Sequence, residues 1–151
     1  SARAPGALER ADGGTLLLSS LKGQVVVLSF WASWCGPCRK DLPRLAALDG
    51  ELARLGGRVV AVSIDADARN AADFARRHAP GMSVYVDGPD GLVRTLDVPA
   101  LPYTFVFDRG GVVVWCGGGA DETTFATFGN TARKLSVARA TATQSTEGDS
   151  R

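Results

Sequence analysis

At 151 residues and 45% hydrophobic content, the chain has the length of one domain and enough apolar material to bury a proper core. Its net charge of +1, spread over 17 basic and 16 acidic residues with no basic stripe, argues against nucleic-acid binding. Three cysteines are too few for a disulfide-stapled scaffold, and their odd count leaves one thiol over.

Residues 1–6 (Ser1-Ala2-Arg3-Ala4-Pro5-Gly6) read as a disordered lead without the apolar core of a signal peptide. No apolar run is long enough to span a bilayer, so the chain as given reads as soluble, with a trimmed signal or anchor left open. Leu8 to Leu18, interrupted by Asp12-Gly13-Gly14, reads as a small hairpin. Gln24 to Trp31 is continuously apolar and predicts a buried central strand. From Pro37 to Leu55, Leu42, Leu45, Ala46, Leu48, Leu52 and Leu55 recur at helical spacing, with Pro43 a kink and Gly56-Gly57 the stop.

Arg58 to Asp65 predicts the next buried strand, Ala68 to His78 a helix, Ser83 to Val86 a short strand and Asp90 to Leu96 a short helix. Strands at Thr104–Phe107 and Val112–Trp115 flank the hairpin signal Asp108-Arg109-Gly110-Gly111. Asp121 caps a last helix with Phe125, Phe128, Ala132 and Leu135 on one face, and residues 139–151 read as a disordered tail. The order is βαβαβ with parallel crossovers, then a hairpin and a helix: a mixed sheet covered by helices on both faces.

The chemistry concentrates in Trp34-Cys35-Gly36-Pro37-Cys38, where a buried strand delivers two cysteines to a helix start. Cysteines three apart on a first helical turn share a face and can close a disulfide with little backbone movement. Unsatisfied N–H groups and the positive end of the helix dipole favour a thiolate at Cys35, the expected nucleophile. Cys38, expected one turn inside with its N–H engaged, is the shielded resolving thiol. Pro37 suits a first helical turn, and Gly36 lets a substrate backbone come close. A zinc half-site is the weaker reading, since Cys116 and His78 are the other candidate ligands of Cys or His type. A purely structural bridge is also weak, because so small a loop removes little chain entropy.

With Val98-Pro99-Ala100-Leu101-Pro102-Tyr103-Thr104-Phe105-Val106-Phe107-Asp108, this motif resembles thioredoxin-fold proteins, most closely the TlpA/ResA-like branch. The resemblance covers residues 7–138 and implies an α/β thioredoxin-like fold, with an N-terminal hairpin and an inserted helix–strand unit between Ala68 and Leu96. It also implies a cis proline against the cysteine pair. Spacing from Thr104-Phe105 favours Pro102 over Pro99. Such a proline offers no N–H, and the polar groups of Leu101 would pair with an extended peptide near Cys35.

Thioredoxins carry a buried Asp six residues before the first cysteine, and here that position is Ser29. A serine cannot hold the charge that would relay the proton of Cys38. Asp41, three residues beyond Cys38, is the substitute the resemblance suggests, since ResA-like proteins commonly carry Glu there. The alternative is a solvated acid favoured by the helix dipole, and both readings stand at this point. Trp34 reads as a cover over the sulfurs within a docking surface, Trp31 as core, Cys116 as a small buried hydrophobe, and His78 as a helix-end cation.

The resulting expectation is a thiol–disulfide oxidoreductase. Cys35, Cys38 and Asp41 are its catalytic groups, with Trp34, Gly36, Pro37, Leu101 and Pro102 as substrate-binding residues, and it needs no cofactor or metal. The resemblance implies a monomer in the bacterial cell envelope that acts as a reductant of protein disulfides. Apocytochrome c or metal-site cysteines would be its targets, and a membrane electron donor would recharge it. Two other classes compete: a copper- or zinc-handling module using the cysteine pair, and a thiol peroxidase. The peroxidase ranks lower because its proline- and threonine-framed cysteine is missing.

Overall fold

The computed structural model describes residues 6–149, with side chains through residue 138. The expected hairpin is present as antiparallel β1 (Ala7–Arg10) and β2 (Thr15–Leu17). Gly13 and Gly14 turn it with φ of 99° and 93°, where a side chain would be strained. A 3₁₀ turn (Leu18–Leu21) leads to β3 (Val25–Trp31), which is buried along its whole length between β4 (Gly57–Ser63) and β6 (Tyr103–Phe107). This burial on both faces is why its sequence is apolar at every position but Ser29. With β5 (Val84–Val86) and β7 (Val113–Gly118) the sheet has the order β2-β1-β5-β4-β3-β6-β7. β3, β4 and β5 run parallel, and β1, β6 and β7 pair antiparallel with their neighbours.

Helices flank both faces, but unequally. α1 (Cys38–Ala53) joins β3 to β4, and α2 (Ala68–His78) joins β4 to β5. Both crossovers step the same way across the sheet, so a right-handed connection places both helices on one face. α4 (Glu122–Asp149) packs there too. The core on that side joins Leu42, Leu45, Leu48 and Leu52 of α1 and Phe74 of α2 to Phe128 and Ala132 of α4. Each such buried leucine contributes about 1.5–3 kcal/mol relative to exposure. The other face is covered by Leu18, Leu21 and the single turn α3 (Leu92–Thr95). An apolar groove of about 420 Å³ between Leu18, Leu21, Leu28, Leu92, Leu96 and Phe107 marks how thin that cover is.

Several boundaries differ from expectation: β7 runs Val113–Gly118 rather than Val112–Trp115, β4 ends at Ser63 rather than Asp65, and α3 is confined to Leu92–Thr95. α1 proper begins at Cys38 after Pro37, whose backbone is already helical (φ −59°, ψ −30°), so Cys38 holds the first helical position rather than one a turn deeper. α4 continues through residues 139–149, expected as tail, where Ala138, Ala140 and Ala142 favour propagating a helix already formed. Residues 1–5 of the expected lead and 150–151 of the tail lie outside the described residues.

Candidate active site

The site lies at the end of the sheet where β3 and β4 finish and β6 begins. After Trp31 the chain turns through Ala32 to Pro37 into α1, with Cys35 N–H donating to the Ala32 carbonyl at 3.1 Å. Cys35 and Cys38 form a disulfide with Cα atoms 5.3 Å apart. Cys35 keeps 7% exposure while Cys38 has none. Both cysteines sit in the core cluster, and the slightly greater exposure of Cys35 comes from packing rather than from depth within the helix.

Trp34 is 67% exposed beside the pair, whereas Trp31 is 1% exposed and packs on Phe74 with ring centroids 5.7 Å apart. Gly36 and Pro37 are exposed, and a Cβ at Gly36 would meet nothing within 4 Å, leaving room for an approaching backbone. The Leu101–Pro102 peptide bond is cis. Pro102 is buried at the start of β6, opposite the end of β3, and Leu101 is half-buried. A depression of about 430 Å³ between Ile64, Pro89, Val93, Arg94, Asp97 and Val98 opens at the same end of the sheet.

Ser29 is 1% exposed and shares a 3.0 Å hydrogen bond with Thr104, its neighbour across β3 and β6. A neutral hydroxyl pair thus fills the position where the resemblance places a buried Asp. Asp41 is 3% exposed, which removes the solvated reading. Burial pushes its carboxyl up to about 6; Arg44 opposes that rise and Asp121 adds to it. Oδ1 of Asp41 has no hydrogen-bond partner, and the Arg44 guanidinium stands 3.7 Å away.

One residue of this site escaped sequence reasoning. Asp65, 4% exposed just past β4, accepts hydrogen bonds from Ser33 N–H at 3.0 Å, Ser33 Oγ at 2.5 Å and Ser63 Oγ at 2.5 Å. The carboxylate ties the end of β4 to the turn that presents Trp34 and Cys35. The only local signal was a serine two residues before the acid, since Ser33 is distant in sequence. Cys116 corrects an expectation: its thiol is exposed, because β7 is an edge strand paired on one side by β6 alone. The Tyr103 hydroxyl donates to its sulfur at 3.7 Å. Among the described residues no group of three or more His, Cys, Asp or Glu side chains is placed to hold a metal ion.

The fold and the disulfide at a helix start define a thioredoxin-fold protein with a CxxC pair. The AhpC/TSA family model matches residues 3–116, and the chain belongs to that family. It is similar to the thiol-disulfide oxidoreductase ResA of Bacillus subtilis (strain 168), 33% identical over 107 residues, covering 71% of this chain and 60% of that protein. The chain thus spans about 60% of the length of the curated relatives it matches. Among solved structures it is similar to a Chlorobium tepidum protein described as a thiol:disulfide interchange protein DsbE. That match has 31% identity and a TM-score of 0.80, covering 86% of this chain and 92% of that one. It is also similar to the exposed lipoprotein thioredoxin Etrx1 of Streptococcus pneumoniae strain TIGR4, with 27% identity and a TM-score of 0.71 over 85% of this chain and 98% of that one.

Proposed function

We propose that this chain is a thiol–disulfide oxidoreductase of the bacterial cell envelope that reduces disulfides in protein partners. The observation that carries the reading is the Cys35–Cys38 disulfide at the start of α1, with Cys35 slightly exposed and Cys38 fully buried. Similarity to ResA and to a DsbE-type protein supports it, and the exposed lipoprotein relative supports an extracytoplasmic location.

In the reduced protein the Cys35 thiolate attacks one sulfur of the partner's disulfide, and the partner's other sulfur leaves as thiolate. Cys38 then loses its proton to the Asp41 carboxylate and attacks Cys35. The Cys35–partner bond breaks, the partner leaves with both sulfurs reduced, and the Cys35–Cys38 disulfide forms. A membrane electron donor returns the pair to the dithiol. Trp34, Gly36, Pro37, Leu101 and Pro102 dock the partner as an extended segment beside Cys35, which the exposure of Trp34 and the open space at Gly36 favour.

Trapping tests the assignment. Cys38→Ala should accumulate reducible mixed disulfides with envelope proteins, while Cys35→Ala should capture almost none. Equal capture by both variants would contradict the roles given to the two sulfurs.

A further inference from the structure

Arg44 makes more contacts than a surface arginine needs. Its Nη2 lies 3.7 Å from Asp41 Oδ1 and donates to the Ala120 carbonyl at 3.3 Å, while Nε donates to the Lys40 carbonyl at 3.3 Å. The guanidinium also sits over the Phe125 ring, 5.3 Å from its centroid. These contacts come from α1, from the loop between β7 and α4, and from α4 itself, so the fork cannot swing into solvent without losing several of them. At 3.7 Å from Asp41 it acts as a nearby charge rather than a hydrogen-bond donor. That leaves the carboxylate oxygen without a donor and able to accept a proton.

We propose that Arg44 is a positioning residue that keeps Asp41 in its carboxylate form at neutral pH and thereby sets the acidic limit of the step in which Cys38 resolves the mixed disulfide. The inference rests on the proton-accepting role proposed for Asp41. In that step Asp41 takes the Cys38 proton, the Cys38 sulfur bonds to Cys35, and the partner's sulfur leaves with the electron pair of the broken bond. The charged groups acting on Asp41 are Arg44 from its own helix and Asp121 from the start of α4, and they act in opposite directions. Asp121 is held below the usual carboxylate range by hydrogen bonds from Thr124, so its negative charge persists where Asp41 titrates. β4, under α1, contributes Val59 and Ala61 to the apolar core on this side, and the buried Ser63 at its end is tied to Asp65. Burial and Asp121 thus both favour protonated Asp41, with Arg44 as the opposing cation.

The experiment uses the full chain, reduced and reacted with glutathione disulfide across pH 5 to 9. Wild type, Arg44→Gln, Arg44→Lys and Asp41→Asn are compared, with the Asp41 carboxyl followed in parallel by NMR. In Arg44→Gln the acidic limb of the resolving step and the Asp41 titration should both move up by about one pH unit. This is a loss of roughly tenfold in rate on that limb, recovered at high pH. Arg44→Lys, which keeps the charge, should restore most of the profile. An Asp41 titration unchanged in Arg44→Gln would overturn the inference. A rate loss equal at every pH in both Arg44 variants would also do so, because it would mark a purely structural arginine. If the titration moves but Asp41→Asn resolves like wild type at all pH values, the proton-accepting role of Asp41 is what fails, and the inference falls with it.

Discussion

The two ends of the sheet solve opposite problems. At the end where β3 and β4 begin, Arg109 donates to the carbonyls of Gly23 (2.9 Å), Leu55 (2.9 Å), Gly56 (3.2 Å) and Ser136 (3.1 Å), clasping the segments before both strands to α4. Close packing seals the same end, since a Cβ on Gly57 would stand 2.9 Å from the Val25 carbonyl oxygen. At the other end Asp65 anchors one turn, but Trp34 is left 67% exposed and the buried Asp41 keeps an oxygen without a hydrogen-bond donor. Stability is concentrated at one end and unmet chemical capacity at the other, as expected where a site must stay reactive.

The largest expected effect is on chemistry alone. Cys35→Ala should abolish exchange with glutathione disulfide while melting within a degree or two of the reduced wild type, since a small buried group is exchanged for another. A large loss of stability in the reduced state would show that the two ends are not independent.

Arg109→Ala should do the reverse. Losing charged donors to several carbonyls should cost about 2–4 kcal/mol in urea unfolding, while the exchange rate per folded molecule stays unchanged. Loss of exchange in fully folded protein would break the division between the ends.

Asp41→Asn sharpens the comparison through pH. Burial raises the folded carboxyl from its ordinary 3.8 to about 6, so its contribution is favourable below about pH 4 and is lost as pH rises through 6. The variant should therefore be more stable than wild type at pH 8, by at most about 3 kcal/mol, and nearly equal to it at pH 4. Unfolding curves at the two pH values read this directly. A difference that is the same at both would mean that the buried carboxyl does not titrate as described.

Asp65→Ala carries the smallest of these effects. Removing the acceptor for Ser33 and Ser63 should cost about 1–3 kcal/mol and slow the attack by Cys35 several-fold through a looser turn. Asp65→Asn should recover part of both. An attack rate unaffected by Asp65→Ala would reduce the residue to a structural brace.

How much of this was legible depended on distance along the chain. α2 is legible at its observed bounds, Ala68–His78, because its signals are local: Asp67 accepts from Arg69 N–H at 2.9 Å, and Ala71, Phe74 and Ala75 form its buried face. β3 and β4 were legible because strands buried on both faces need apolar side chains throughout. The cysteine pair was legible from spacing, and Pro102 from resemblance. The burial of Asp41 was not, because α4 and the loop before it, far along the chain, close over its part of α1. Asp65 hid for the same reason, since Ser33 is brought to it only by the pairing of β3 with β4. The exposure of Cys116 is not legible, because a strand's place at the sheet edge is set by topology, which no local pattern around Trp115 reports.

The central claim is that Cys35 and Cys38 form a reversible redox couple from which Cys116 stands apart. It is tested most directly by equilibrating the full chain across ratios of reduced to oxidised glutathione, quenching with an alkylating reagent and mapping labels by mass spectrometry. The account predicts a single two-electron transition, with Cys35 and Cys38 losing their labels together and Cys116 labelled throughout. A Cys35 or Cys38 that stays labelled at every ratio, or a bond from either to Cys116, would contradict it.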